Sequence, residues 1–314
     1  MLSVIFATRN GMRTLPAVLG AYLQLEQPEG GWKLVVVDNA STDRSHDIIN
    51  SFRDRLPLVC LSEEKPGKNA ALNAALAHVE GDLVVLTDDD VFPTSDWLVR
   101  MRSAADDNPE YSIFGGVVLP RWEIAPPDWL LERVPLEPVF TLTPPSLQEG
   151  PMDYHFVFGP NMAVRAEVFA EGFQFDPTIG PQGSSYAMGS ETEFVTRLAK
   201  RGYAAWHARN AQVEHFIRDF QMTGSWILRR AIRFGRGQYR MGRTASGSTA
   251  QPAWLGVPRY LFREMVRQTA VLSRALLTFR GAAIFRARWD LNVLRGQILE
   301  AYRSGEKPEK TTPS

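Results

Sequence analysis

A single cysteine, Cys60, stands in 314 residues, so no internal disulfide can form and every multi-cysteine zinc site is excluded. A reducing, cytoplasmic compartment is the simplest home for such a chain. Long hydrophobic runs are missing as well. Stretches such as 35–37 and 275–279 fall far short of the ~20 residues that span a bilayer. The opening residues, MLSVIFATRNG, carry no basic flank and no cleavage site, and read as a strand rather than a signal peptide. There is no internal repeat and no low-complexity tract beyond the EKPEKTTPS tail. With 44% hydrophobic and 22% charged residues the chain is neither disordered nor fibrous, and it is long enough for one or two domains.

Net charge is zero, but its distribution is not even. Residues 1–215 hold 17 Lys and Arg against 29 Asp and Glu, whereas 216–314 hold 18 against 6. An acidic body binds a phosphorylated ligand only with a cation between them. A basic tail seeks anions: lipid headgroups, nucleic acid or the acidic body itself.

Apolar, β-branched runs at 2–7, 33–37 and 84–86 alternate with helical patterns near 14–27 and 68–79. This alternation predicts an α/β fold, a mainly parallel sheet flanked by helices in the Rossmann manner. Ligands of such sheets bind beyond the carboxyl ends of the strands. Polar residues cluster there: Thr8, Arg9 and Asn10 after the first strand, Asp38 and Asn39 after the second, Asp88, Asp89 and Asp90 after the third. Eight prolines between 119 and 151 predict a long loop layer over the body. Order resumes at 156–169. A helix is expected over 190–201, with Ser190 as N-cap and Glu193 closing a capping box.

Three consecutive carboxylates at 88–90 repel one another unless a cation neutralises them, and Mg²⁺ or Mn²⁺ bridging to substrate phosphates is the natural occupant. A solvated acidic turn is the plainer explanation of such a triplet, but its position at a strand end favours the cation.

Five segments in order, SVIFATRNG, VVVDNASTD, KPGKNAALNAAL, LTDDDV, and GPNMAVRAEVF with GSETEF and VEH, resemble the nucleotide-sugar glycosyltransferases of GT-A fold. Family 2 is the most similar group, and the resemblance covers roughly residues 2–217. It implies a GT-A-like domain at 1–217, with a nucleotide-sugar half at 1–118 and an acceptor half at 119–217, followed by a basic helical extension at 218–314. By resemblance, Thr8, Arg9, Asn10, Asp38 and Asn39 surround the base and ribose, and Gly67 and Lys68 meet the nucleotide or its phosphates. The acidic triplet gives one carboxylate to the ribose side and another to the metal. Two registers fit, Asp88 with Asp90, or Asp89 with Thr87 in the place of a leading aspartate. The assignment adopted puts Asp89 and Asp90 at the cation and Asp88 at the ribose. Glu191 inherits the place of the catalytic base where relatives carry Gly-Glu-Asp, with Glu193 as the alternative. His215 completes the metal shell or touches the diphosphate, and His155 and His207 are structural. Gly159 and Asn161 match the floor of the donor-sugar site, the glycine letting backbone approach the ligand. Trp122 and Trp129 are candidates to stack on acceptor sugars, ordinary packing being the commoner use of such rings.

The resemblance implies a metal-dependent, inverting transfer of a sugar from a nucleoside diphosphate, UDP first among them, to a hydroxyl of a glycan or lipid-linked acceptor. A sugar nucleotidyltransferase shares sheet and carboxylates, but its glycine-rich N-terminal signature is absent from SVIFATRNG. A non-catalytic, membrane-associated binding protein is the reading from another class. In the tail, arginines 229, 230, 233, 236, 240, 259, 263, 267 and 274 accompany apolar Phe262, Met265, Val266, Leu272, Leu276 and Phe279 at helical spacing. Such helices over 224–303 either lie peripherally on an anionic membrane, which here would be the inner face of the plasma membrane, or pack on the acidic body. Residues 244–252 read as a flexible joint between them. Nucleic acid is not an expected partner, because no binding motif accompanies the charge.

Overall fold

A computed structural model describes residues 1–181, 186–246, 253–254 and 256–304. Within it the chain forms two compact units. One comprises Met1–Ile124, Leu136–Gln182 and Ser190–Arg218, and the other Ala125–Pro135, Gly183–Gly189 and Asp219–Ser314.

The first unit begins with strand β1 (Leu2–Thr8), helix α1 (Leu15–Tyr22), β2 (Trp32–Asp38), α2 (Ser45–Asn50), β3 (Leu58–Ser62), α3 (Lys68–Leu76) and β4 (Leu83–Leu86). The expected strand and helix runs all appear. β3 and α2 escaped the pattern because neither carries a sustained apolar period: β3 is only half-buried and α2 is six residues long. The chain continues through β5 (Val91–Pro93), α4 (Trp97–Asp107) and β6 (Ile113–Trp122). It then passes α5 (Asp128–Arg133), which belongs to the second unit, α6 (Leu136–Phe140) and β7 (Gly150–Met152). The prolines at 120–151 therefore do not leave a bare loop layer, which corrects that expectation. Pro120 lies within β6, and Pro127 and Pro135 stand just before α5 and α6, where a missing N–H costs no helical hydrogen bond. β8 (Met162–Arg165), α7 (Ala166–Ala170), α8 (Ser190–Lys200) and β9 (Ala205–Ile217) complete the unit.

Nine strands form one mixed sheet in the order β3-β2-β1-β4-β8-β6-β9-β5, with β7 also on β9. β3, β2, β1 and β4 are mutually parallel; β8 runs antiparallel to both β4 and β6; β6 and β9 are parallel. Thr8 is level with Asp38, and Ile5 with Leu86, so the strands deliver residues 8–10, 38–39 and 87–90 to one edge. β5 places Val91 opposite His215 of β9, which brings that histidine to the acidic triplet. On one face α3 and α8 cover the sheet through Leu72, Ala75, Phe194, Val195 and Leu198, all buried. Phe194 stacks between Phe175 at 4.3 Å and Phe169 at 5.6 Å.

In the second unit, α9 (Gly224–Ser246), α10 (Arg259–Leu277) and α11 (Gly281–Ser304) follow. α9 and α11 cross at glycines: a Cβ on Gly235 would lie 1.9 Å from the Val293 carbonyl oxygen, and one on Gly296 2.1 Å from that of Ile232. Glu300, buried in this seam, accepts from Arg236 at 2.7 Å and Arg240 at 2.5 Å. Trp129, on α5, packs its ring 5.7 Å from Phe285 of α11. Residues 244–246 end α9, and 247–252, the rest of the expected joint, lie outside the described residues, as does the tail from 305. Among the described residues no helix is long and apolar enough to cross a membrane.

Candidate functional site

The edge residues of the first unit converge on a cluster in which carboxylates outnumber cations. Gly67, at φ +135°, turns the chain into α3, so that Lys68 is the first residue of that helix. Its ammonium lies 2.5 Å from Asp88 Oδ1 and 2.5 Å from Glu191 Oε1. Burial works against the Lys68 charge, but the two carboxylates outweigh it and hold its pKa above the ordinary value. Burial likewise opposes the Glu191 carboxylate, and Lys68 together with the Ser190 hydroxyl, 2.7 Å from Oε2, still keeps its pKa below the usual range. Glu191 is therefore ionised and aligned, as a proton acceptor must be.

The capping box expected at 190–193 does not form. Ser190 donates to Glu191, and Glu193 pairs with Arg197 at 2.6 Å.

Asp89 Oδ2 accepts the Thr8 hydroxyl at 2.5 Å. Burial first, and the Asp90 charge second, push its pKa up to about 7. Asp88 is also raised, by burial against the pull of Lys68 and with the charges of Glu191 and Asp90. Asp90 accepts from Arg218 at 3.1 Å, and its other oxygen faces His215 Nε2 at 3.7 Å. His215 Nδ1 lies 2.7 Å from the Phe140 carbonyl oxygen, which can only accept, so Nδ1 donates there and Nε2 is the nitrogen turned toward Asp90.

These donors fit a divalent cation. A carboxylate oxygen and an imidazole nitrogen face each other across a gap that spans two metal–ligand bonds of about 2 Å each, beside a second carboxylate whose charge is held back by burial. Among the described residues no group of three or more His, Cys, Asp or Glu side chains is placed to hold a metal ion. A Mg²⁺-type ion needs one or two protein carboxylates and fills the remainder from phosphates and water.

Other expected site residues prove to be scaffolding. Asn39 is buried with its amide saturated: it donates to the carbonyls of Glu63 and Lys65 and accepts from the Gly67 N–H at 2.8 Å. It fixes the loop that presents Lys68. Asn161 is fully buried and equally committed, accepting from the Trp97 indole at 2.8 Å and donating to the carbonyls of Val117 and Ala211 at 2.9 Å each. β6 and β9 slip register at Gly116 and Val117, and Asn161 stitches that slip. In this arrangement its side chain serves the scaffold.

The space beside Gly159 is filled by Glu191 itself: a Cβ there would lie 2.5 Å from the Glu191 Cδ. The glycine makes room for the Glu191 side chain. Asp38 accepts from the Ser41 N–H at 3.2 Å and faces His46 at 3.5 Å. Asn10, at φ +56°, accepts from the Thr42 N–H, and Arg9 is exposed beside it. Trp122 meets Phe140 edge-on at 5.5 Å, and Trp129 belongs to the other unit, so both rings are used in packing. His207 is buried against the Gly115 carbonyl, and burial lowers its pKa, as a structural histidine requires.

Two participants were not anticipated. Gly11 leaves the space in which Thr8 and Asp89 meet, since a Cβ would fall 2.3 Å from Thr8 Oγ1 and 2.9 Å from Asp89 Oδ2. Its only signal was its place after the first strand. Arg218 lies one residue beyond β9, and only the β5 pairing reveals that it reaches Asp90.

The mixed sheet with its flanking helices has the GT-A fold. In overall fold it is similar to the mannosyltransferase PcManGT of Pyrobaculum calidifontis, solved with GDP-Man and Mn²⁺ (TM-score 0.63, 21% identity, 97% of this chain and 88% of that one). It is also similar to Staphylococcus aureus TarS residues 1–349, solved in complex with UDP (TM-score 0.51, 16% identity, 97% and 92%). In sequence it is similar to the glucosyl-dolichyl phosphate glucuronosyltransferase of Haloferax volcanii, 21% identical over 202 residues, 64% of each chain. The match thus covers a little under two thirds of that relative. The glycosyltransferase AglE of the same organism is 23% identical over 288 residues, 88% of each. The model of glycosyl transferase family 2 matches residues 3–173, and the chain belongs to that family.

Proposed function

We propose that this family 2 glycosyltransferase moves a sugar, with inversion, from a nucleoside diphosphate to an acceptor hydroxyl, and that it depends on a divalent cation. One observation carries the reading: the ionised Glu191, pinned by Lys68, shares a buried cluster with Asp88, Asp89 and Asp90.

Glu191 takes the proton of the acceptor hydroxyl as the oxygen attacks the anomeric carbon, and the bond from that carbon to the diphosphate oxygen breaks. Inversion is carried over from the family resemblance. Asp90 and His215 would hold the cation with Asp89 beside them, and the ion when bound neutralises charge on the departing diphosphate. Lys68 keeps Glu191 deprotonated and oriented, and lies where a diphosphate would meet its charge. Thr8, Arg9, Asn10 and Asp38 border the nucleoside side of the cluster, with Asn39 and Gly67 holding their loop. UDP and GDP are the donor nucleotides of choice, the acceptor being a glycan or lipid-linked hydroxyl.

The test is release of nucleoside diphosphate from UDP-, GDP- and TDP-sugars with Mn²⁺. One donor turning over in a cation-dependent way supports the reading. No release from any donor indicates a binding protein, and turnover that requires pyrophosphate indicates a nucleotidyltransferase.

A further inference from the structure

The basic tail resolves into helices of different character. α9 and α11 use their faces on each other, at the Gly235 and Gly296 crossings and around Glu300. α10 buries only Leu261 and Ala275. At its C-terminal end the chain turns into α11 through an apolar corner. Leu277 is 81% exposed and Phe279 is 90% exposed, with Leu276 half-exposed beside them. Phe279 holds a left-handed backbone, φ +51°, a conformation that bulky residues seldom adopt, and its ring is left in solvent.

Arginines run along α10 toward this corner. α10 carries Arg259, Arg263, Arg267 and Arg274 against one acid, Glu264, and Arg280 follows. Arg267 pairs with Glu264, whereas Arg259, Arg263 and Arg274 are exposed and have no carboxylate within ion-pair distance among the described residues. Val266, 72% exposed, lies one helical turn from Arg263.

We propose that the α10–α11 corner docks on an anionic bilayer surface, with Leu277 and Phe279 entering the headgroup layer and Arg263, Arg274 and Arg280 meeting lipid phosphates. Bulky apolar side chains presented beside unpaired cations match the interface between acyl chains and anionic headgroups. A second copy of this chain fits poorly, because it would bring the same arginines face to face. The inference is independent of the chemistry proposed above, since none of these residues belongs to the carboxylate cluster.

The experiment is co-sedimentation of the full chain with vesicles of phosphatidylcholine alone, or with roughly one third phosphatidylglycerol added. The wild-type chain partitions at least about tenfold more strongly to the anionic vesicles, and added salt weakens this binding. Leu277→Asp with Phe279→Asp, and separately Arg263→Gln with Arg274→Gln, each reduce partitioning about tenfold. In both, the melting temperature stays within experimental error, because all four positions are exposed. Absence of wild-type binding to anionic vesicles overturns the proposal, as does full binding by both double variants. So does a wild-type dimer in sedimentation velocity that the Leu277/Phe279 variant dissolves, because the corner would then be a protein interface. Donor turnover is measured in parallel without vesicles and is unchanged in the variants, so a failure of the catalytic reading and a failure of this one are told apart.

Discussion

The charge cluster at the sheet edge and the one in the helical seam are built on opposite principles. In the helical unit one carboxylate, Glu300, is enclosed by Arg236 and Arg240, and burial is offset by two cations at hydrogen-bond distance. At the sheet edge four carboxylates, Asp88, Asp89, Asp90 and Glu191, gather around Lys68 and Arg218. The first cluster is complete as it stands and serves to hold helices together. The second keeps negative charge in excess, with Asp89 driven toward the neutral form, and such an arrangement is satisfied by a cation and then by an anionic ligand. The comparison separates a charge cluster that stabilises a fold from one that is kept for chemistry.

The sharpest way to break it is Glu191→Gln. Donor turnover falls about 10³-fold, within the span expected for loss of a general base, while the melting temperature changes little because Lys68 keeps Asp88. Steady-state kinetics beside thermal melting check this, and a turnover loss of less than about tenfold removes Glu191 from the base role. Glu300→Gln should do the reverse. It removes the charge that compensates two arginines in a buried seam, and lowers stability by about 3–5 kcal/mol in urea unfolding while leaving turnover of the folded protein unchanged. Asn161→Ala lies between them. It orphans the Trp97 indole and two carbonyls, and lowers stability by about 2–3 kcal/mol. A substantially weakened nucleotide affinity measured in the folded variant by calorimetry would show Asn161 to be a ligand contact.

Much of this was legible in the sequence, and the gaps have physical causes. Strands β1, β2 and β4 are read from unbroken apolar runs because a strand covered on both faces needs nothing else. The acidic triplet, Lys68, Glu191 and His215 converge as the ordered motifs imply. The motifs could not show how polar groups would be shared. An asparagine at a strand end reads the same whether its amide faces a ligand or closes a loop, and Asn39 and Asn161 turn out to do the latter. Glycine is ambiguous in the same way. Gly159 and Gly11 both yield space to neighbouring side chains 32 and 78 positions distant in sequence, a relation that local pattern does not contain. The proline-rich stretch misled for a simpler reason. Proline opposes helix interiors, but it is well placed at helix starts, and α5 and α6 begin beside it.

The smallest effect concerns pH, and here the two clusters should answer with opposite sign. Glu300 is held below its ordinary pKa, burial being outweighed by Arg236 and Arg240, so its contribution is present above about pH 4.5 and is lost as pH falls through the lower folded value. Asp89 is raised from 3.8 to about 7, so the folded state binds a proton that the unfolded chain releases. Its contribution favours folding at acid pH and fades as pH climbs from about 4 through 7. In cation-free buffer, wild-type protein should therefore melt a few degrees, on the order of 2–4 °C, higher at pH 5 than at about pH 8, a difference that Asp89→Asn does not reproduce. Mn²⁺ with nucleoside diphosphate should erase the difference by stabilising the ionised carboxylate at neutral pH. Identical pH profiles for wild type and Asp89→Asn would mean that the sheet edge is as self-sufficient in charge as the helical seam.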